Sequence, residues 1–259
     1  MIVLQGIHYL PISEILDTKK YSYEEVLEKL YELKIRRWPF IRKKFEEEGI
    51  TREADIKKKI MEQFDERYRN SRDLQNIAFR DGMGIIAYIS PLLVRAGRKG
   101  RWYENPVFDS YAVLTGNGTN RTHDPDGNIL VCPEISSRSG LKTKGVRGVG
   151  KNLVGYTLLR GYGMKEEKGN PEIFCAYTRD FEPTLRFHQS LGAKVVRKVE
   201  NAEPFDRDAN GSRAIVEYSI NAVVAQISHL AEAQTEEERK MSTEVPEVSL
   251  GYELYSTDY

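Results

Sequence analysis

The 259-residue chain carries 39 basic and 39 acidic side chains, so no global charge draws it to nucleic acid or to a membrane surface. Hydrophobic residues make up 40% of it, enough for a sizeable core and too many for a wholly disordered chain. Cys132 and Cys175 each sit inside an apolar run and read as buried, reduced thiols. No run reaches the ~20 apolar residues of a spanning helix, and Met1–Gln5 lacks the basic region and cleavage site of a leader, so a cytoplasmic protein is expected.

The first quarter reads as helical. Ser22 with Glu25 forms a capping box, and Val26, Leu27, Leu30 and Leu33 follow at helical spacing. Pro39 is expected to kink or end that helix, and Gly49 to end the next segment. Thr51 is the expected cap of a further helix with Ile56, Ile60, Phe64 and Tyr68 on its apolar face, and Lys57-Lys58-Lys59 on its solvated face.

The pattern then changes. Gly84–Ile89 and Ser110–Thr115 read as strands, separated by a basic loop, Arg95–Tyr103, that could bind phosphate or serve as an exposed loop anchored by two rings. Asp126-Gly127 is a hairpin signal, with Asn128–Cys132 as the returning strand and Pro133 stopping the ladder. A helix is expected from Gly148 to Tyr162, a strand at Ile173–Tyr177 and a helix at Glu182–Leu191. Strands at Lys194–Val199 and Ala214–Ile220 and a helix at Asn221–Met241 complete a mixed α/β chain. The tail Ser242–Tyr259 shows no period. It could pack on the domain, exchange with a second copy in a homodimer, or stay mobile, and the sequence does not choose. The expected division is a helical region over 1–72, a core over 73–220 and a helix and tail over 221–259.

Chemistry concentrates at Gly145-Val146-Arg147-Gly148-Val149-Gly150-Lys151, where a glycine-rich turn opens a helix. Glycines let backbone approach an anion, and the free N–H groups and dipole of a helix start favour one there. Lys142, Lys144, Arg147 and Lys151 add charge around the same place, as a diphosphate site requires. The spacing Gly145-x-x-x-x-Gly150-Lys151 matches most of a nucleotide P-loop, but Asn152 stands where the magnesium-binding Ser or Thr belongs, and the approach to the loop is polar. His8, His123 and His229 show no metal-ligand spacing with the cysteines, so no metal is expected.

Arg147-Gly148-Val149-Gly150 and the helix after it resemble motif A of the GNAT acyltransferase superfamily, and Phe187-His188-Gln189-Ser190-Leu191-Gly192-Ala193-Lys194 resembles the end of its motif B. The resemblance spans about residues 110–220. It implies a mixed, mostly antiparallel central sheet flanked by helices, here with an extended helical N-terminal region. It also implies coenzyme A, as an acyl-CoA thioester, with its diphosphate on the backbone from Val146 to Lys151. In that family the strand before the loop splays from its neighbour and its N–H groups polarise the thioester carbonyl, a role that falls to the backbone of Val131 and Cys132.

Three side chains are candidates for proton transfer. Glu134, just past that strand, could deprotonate the amine, or be an exposed loop acid paired with Arg138. His188 stands where the family often has a tyrosine that protonates the departing thiolate, and a histidine can donate near neutral pH. Tyr177 is a substitute acid. Phe181 falls where the family has an asparagine and Gly145 where it has Gln or Arg. The implied activity is N-acyl transfer from acyl-CoA, or from an acyl carrier protein docked on the basic stretch Arg138–Lys151, to an amine on a small molecule or peptide by direct attack. The alternative is a catalytically idle module of the same fold that binds coenzyme A or a protein partner.

Overall fold

The computed structural model describes residues 1–37, 40–97, 101–138, 146–203, 205–206 and 209–243. Pro39, Lys142, Lys144, Gly145 and the tail after 243 lie outside the described residues, as do positions 98–100 of the basic loop.

The chain opens with two strands, β1 (Ile2–Leu4) and β2 (Ile7–Pro11), where a helical start was expected. Gln5 and Gly6 both take positive φ, 54° and 65°, which gives the two-residue turn whose twist suits a hairpin. Four helices follow: α1 (Ile12–Asp17), α2 (Tyr23–Arg37), α3 (Phe40–Glu47) and α4 (Glu53–Asn70). The capping box at α2 forms: Ser22 N–H donates to Glu25 Oε2 at 2.7 Å, and Glu25 N–H to Ser22 Oγ at 3.2 Å. The N-cap of α4 is Arg52, one residue beyond Thr51.

Strands β3 (Asn76–Arg80) and β4 (Gly84–Ile89) then pair antiparallel, and β3 also pairs with β2 from Ile7↔Arg80 to Pro11↔Asn76. Everything from α1 to α4 is thus an excursion between two neighbouring strands. Beyond Ser90-Pro91 lies β5 (Leu92–Val94), and later come β6 (Ile129–Cys132) and, past Pro133-Glu134, β7 (Ile135–Ser137). These four strands make one antiparallel ribbon broken at the same level on both sides. Ile89 pairs with Ile135 before the break and Leu92 with Val131 after it, bridged by Ser90 N–H to Glu134 O at 3.1 Å.

The segment expected as a strand over 110–115 is instead the short helix α5 (Tyr111–Thr115). Ser110 Oγ accepts from Val113 N–H at 3.1 Å and Gly116 closes the helix in the left-handed region, so capping overrides β propensity. The remaining elements are α6 (Val149–Lys168), β8 (Ile173–Arg179), α7 (Glu182–Gln189), β9 (Ala193–Val199), β10 (Arg213–Tyr218) and α8 (Ile220–Thr243). The strands form two five-stranded sheets, ordered β1-β2-β3-β4-β7 and β5-β6-β8-β10-β9. All pairs among them are antiparallel except β6 with β8.

Helix α6 packs over both sheets, with Leu153, Val154 and Leu158 in the main core beside Leu130, Phe174 and Val216. Gly161 allows this approach: a Cβ there would lie 2.6 Å from Leu130 Cδ2 and 3.0 Å from the Phe174 ring. Helices α2 and α4 cover the other face of the first sheet, where Val26, Leu30, Ile56, Ile60 and Phe64 meet Ile77, Phe79 and Tyr88. No helix of the described residues is long and apolar enough to cross a membrane.

Candidate functional site

Strands β6 and β8 run side by side from Ile129↔Ile173 to Cys132↔Ala176 and then part. Pro133 has no N–H to continue the ladder, and β7 turns away to pair with β4. β8 continues to Arg179 along β10. A cavity of about 520 Å³ opens at the fork. Cys132, Glu134 and Ile135 line one side of it and Tyr177, Thr178 and Arg179 the other, with His188 and Tyr218 between them and α2, α3 and α4 walling the far end.

The start of α6 lies beside this fork. Gly148 is its N-cap at φ 71°, a conformation that favours glycine, and Asn152 N–H makes the first intrahelical bond, to Gly148 O at 2.9 Å. The N–H groups of Val149, Gly150 and Lys151 therefore precede the helical ladder. A Cβ on Gly150 would sit 3.8 Å from Phe187 of α7 and 3.9 Å from Ile135 of β7, so the helix start abuts the lip of the fork. Val146 is buried, while Arg147 and Gly148 are exposed.

Glu134 is neither an exposed loop acid nor the partner of Arg138. It is 5% exposed, and its Oε2 accepts from Arg67 Nη1 at 2.8 Å, Lys34 Nζ at 3.1 Å and Tyr111 OH at 2.8 Å. Arg67 also donates to Tyr111 OH at 2.6 Å and to Gly118 O. Burial alone would raise the Glu134 carboxyl, but Arg67 and Lys34 pull it down to about 2. Lys34 moves the other way: burial and the neighbouring Arg67 outweigh Glu134 and lower its ammonium to about 8. Glu134 Oε1 is buried without a hydrogen-bond partner. One oxygen is saturated and the other is buried without a partner.

His188 and Tyr177 share that condition, since His188 Nε2 and the Tyr177 hydroxyl are also buried without partners. His188 Nδ1 lies 2.5 Å from Tyr218 OH. Burial pushes His188 down to about 4, so it is a neutral imidazole at neutral pH. In the tautomer whose Nδ1 accepts from the Tyr218 phenol, the ring carries its proton on Nε2. Burial raises the Tyr177 phenol, and pushes the Cys132 thiol up to about 12, so neither ionises at neutral pH.

No protein-family model matches the chain, and no curated protein sequence matches it. Among solved structures, the GphF GNAT-like decarboxylase in complex with isobutyryl-CoA matches 82% of this chain and 98% of its own, at 16% identity and a TM-score of 0.55. The chain has the GNAT fold. The loading GNATL domain of CurA from Lyngbya majuscula matches at 18% identity over 62% of this chain and 83% of that domain, with a TM-score of 0.49. Arabidopsis thaliana NAA60 in complex with acetyl-CoA matches at 16% identity over 83% and 99%, with a TM-score of 0.45.

Within the GNAT fold, Glu134, Tyr177, His188 and Cys132 come together on one cavity; of the glycine-rich stretch, Gly150 lies against Ile135, one of its lining residues. Val131 is committed to both neighbours, pairing with Leu92 and Cys175, and Cys132 pairs with Ala176. The helix start follows an antiparallel strand of the first sheet, unlike the buried parallel strand that feeds a P-loop. The described ends of the basic loop are anchored: Arg95 bonds Asp124 at 2.8 Å, Arg101 bonds Glu104 at 2.9 Å, and Trp102 is buried. His123 Nδ1 accepts from Leu93 N–H at 3.1 Å, a structural contact. Among the described residues no three His, Cys, Asp or Glu side chains group as metal ligands.

Lys34 and Arg67 were missed by sequence reading, which took charged residues on α2 and α4 as solvated. The signal was available: Lys34 adjoins the stripe Val26–Leu30–Leu33, and Arg67 extends Ile56–Ile60–Phe64 at helical spacing.

Proposed function

We propose that the chain is an N-acyltransferase that moves an acyl group from an acyl-CoA or carrier-bound acyl thioester to an amine. One observation carries this: Glu134 Oε1, Tyr177 OH and His188 Nε2 are three buried, unpartnered polar atoms on one cavity at the strand fork. Buried polar atoms without partners are rare and disfavoured, and a ligand that pairs with them relieves the penalty. The N–H groups of Val149, Gly150 and Lys151, with the Arg147 guanidinium, suit the donor's diphosphate.

In this reading the amine donates to Glu134 Oε1, and the nearby Arg67 and Lys34 charges disfavour its protonation, which raises the neutral fraction available for attack. The carboxylate at about 2 is too weak a base to strip an ammonium, so Glu134 holds the nucleophile in place. Pro133 has no N–H, so polarising the thioester oxygen falls to backbone N–H groups at the end of β6, around Val131 and Cys132. The amine nitrogen bonds to the acyl carbon, the carbon–sulfur bond breaks, and the departing sulfur takes a proton relayed through Tyr177 or His188.

Thiol release from acetyl-CoA across a panel of amines tests the reading. Wild type should release thiol only with both substrates present, and Arg147→Glu should raise the donor KM about tenfold, the loss of one charge-assisted contact. Coenzyme A binding without turnover across the panel would favour the idle module. Thermal stabilisation by ATP and magnesium but not by coenzyme A would return the P-loop.

A second reading is favoured by the same pair of neutral donors, Tyr177 OH and His188 Nε2. They suit an enolate oxygen, so a β-carboxyacyl thioester could lose carbon dioxide here as its C–C bond breaks, the electrons pass to the enolate and carbon is reprotonated. Release of carbon dioxide from malonyl-CoA without any amine would select it.

A further inference from the structure

Lys34 is the only buried lysine among the described residues, and its surroundings are those of a substrate amine. Its Nζ lies 3.1 Å from Glu134 Oε2, and Glu134 lies between β6, which pairs with β8, and β7, which pairs with β4. It lines the same cavity as Tyr177 and His188. Its three donor positions share one acceptor oxygen already used by Arg67 and Tyr111, and the Phe64 ring lies 5.3 Å from the nitrogen. Two cations face one carboxylate in a buried cluster, so the arrangement is left with a surplus positive charge, which low-dielectric surroundings disfavour.

We infer that Lys34 is itself an acyl acceptor, and that the protein acylates this residue from the thioester its cavity receives. The inference rests on the acyltransferase reading above and goes beyond it by naming a modification site. In its neutral form the Lys34 nitrogen attacks the thioester carbonyl carbon. A carbon–nitrogen bond forms, the carbon–sulfur bond breaks, and the thiolate takes up one amine proton to leave as free thiol. No further reactant is needed. The product removes the surplus charge and leaves Arg67 and Glu134 as a balanced pair. Acylation also fills the cavity beside Glu134, so the modified protein would present a narrower space to an outside amine.

Chemistry supports the selectivity. With an ammonium lowered to about 8, roughly a tenth of Lys34 is neutral at pH 7, against less than about a thousandth of an ordinary surface lysine. A weaker base is a weaker nucleophile, which takes back part of that advantage, so a net preference of about tenfold or more is expected.

The test is incubation of the full chain with acetyl-CoA and no added amine, followed by intact mass and peptide mapping. One acetyl group should appear on Lys34 at least about tenfold faster than on the exposed Lys58, and Gly148→Glu and Arg147→Glu should slow that site while leaving the surface background unchanged. An unmodified Lys34 in a protein that still releases thiol with amines would overturn the inference and leave the transferase reading standing. Lys34 labelled no faster than Lys58, or equally in the two donor-site variants, would mean unguided chemical acylation and overturn it too. No labelling, no thiol release and no thermal shift with coenzyme A would sink both.

Discussion

Glu134 has one oxygen saturated by three donors and the other bare, and this asymmetry governs what its replacement should do. Glu134→Gln leaves Lys34 and Arg67 buried without a counter-charge, and should lower unfolding free energy by about 3–5 kcal/mol in urea titrations. Because the carboxyl stays ionised down to about 2, any kinetic effect of that change should be flat from about pH 4 to 6, below the Lys34 titration, without an acidic limb. Lys34 titrates higher. Its folded value of about 8 lies below the ordinary 10.5, so the unfolded chain binds more protons between them and stability should rise as pH climbs through that window. Lys34→Met should abolish the rise, as read by melts at pH 7.5 and 10.5. His188 is neutral when folded, at about 4 against an ordinary 6.5, so stability should fall as pH drops from 6.5 toward 4, and His188→Gln should flatten that slope. The candidate site was legible where sequence position implies it: Glu134, Tyr177 and His188 follow from their place around motifs A and B. Lys34 and Arg67 were not, because their role exists only once two distant helices close over the strand fork.

At the scale of elements, long periodic segments could be read and short ones could not. Strands β8 and β10 lie within two residues of expectation, and helix α6 starts where expected after Gly148 but runs on past the expected end at Tyr162 to Lys168. The five residues of α5 are too few for periodicity, and Ser110 and Gly116 decide the matter by capping. Ser110→Ala should therefore cost about 1 kcal/mol and loosen the Tyr111 contact to Glu134, measured by stability and by hydrogen exchange at α5. At the N-terminus the hairpin signal was the pair Gln5-Gly6 between two apolar runs, outweighed by the helical pattern that follows it. The glycine at 161 carries a different constraint, since β6 and α6 touch there. Gly161→Ala should destabilise by about 1–3 kcal/mol through overpacking against Leu130 and Phe174, and a stable variant with unchanged melting would contradict that contact.

For the whole molecule, the proposed donor and acceptor sides are built from different stretches of chain. The glycine-rich start belongs to α6, while the far wall of the cavity comes from α2, α3 and α4. Arg147→Glu should accordingly weaken coenzyme A binding while leaving amine selectivity unchanged, whereas substitutions on α3 or α4 at the cavity should reorder amine preference with little effect on donor KM. The rung Pro11↔Asn76 gives this division a further meaning. The chain leaves the sheet at Pro11 and returns to the opposite partner at Asn76, so the acceptor wall is one continuous insert hung from a single pair of neighbouring residues. Such an insert can be lengthened, shortened or exchanged as a cassette, because both its ends meet at one place and the strands on either side keep their register. On the proposed reading, a scaffold arranged this way can change its acceptor by replacing one stretch of sequence, while the donor half stays as it is.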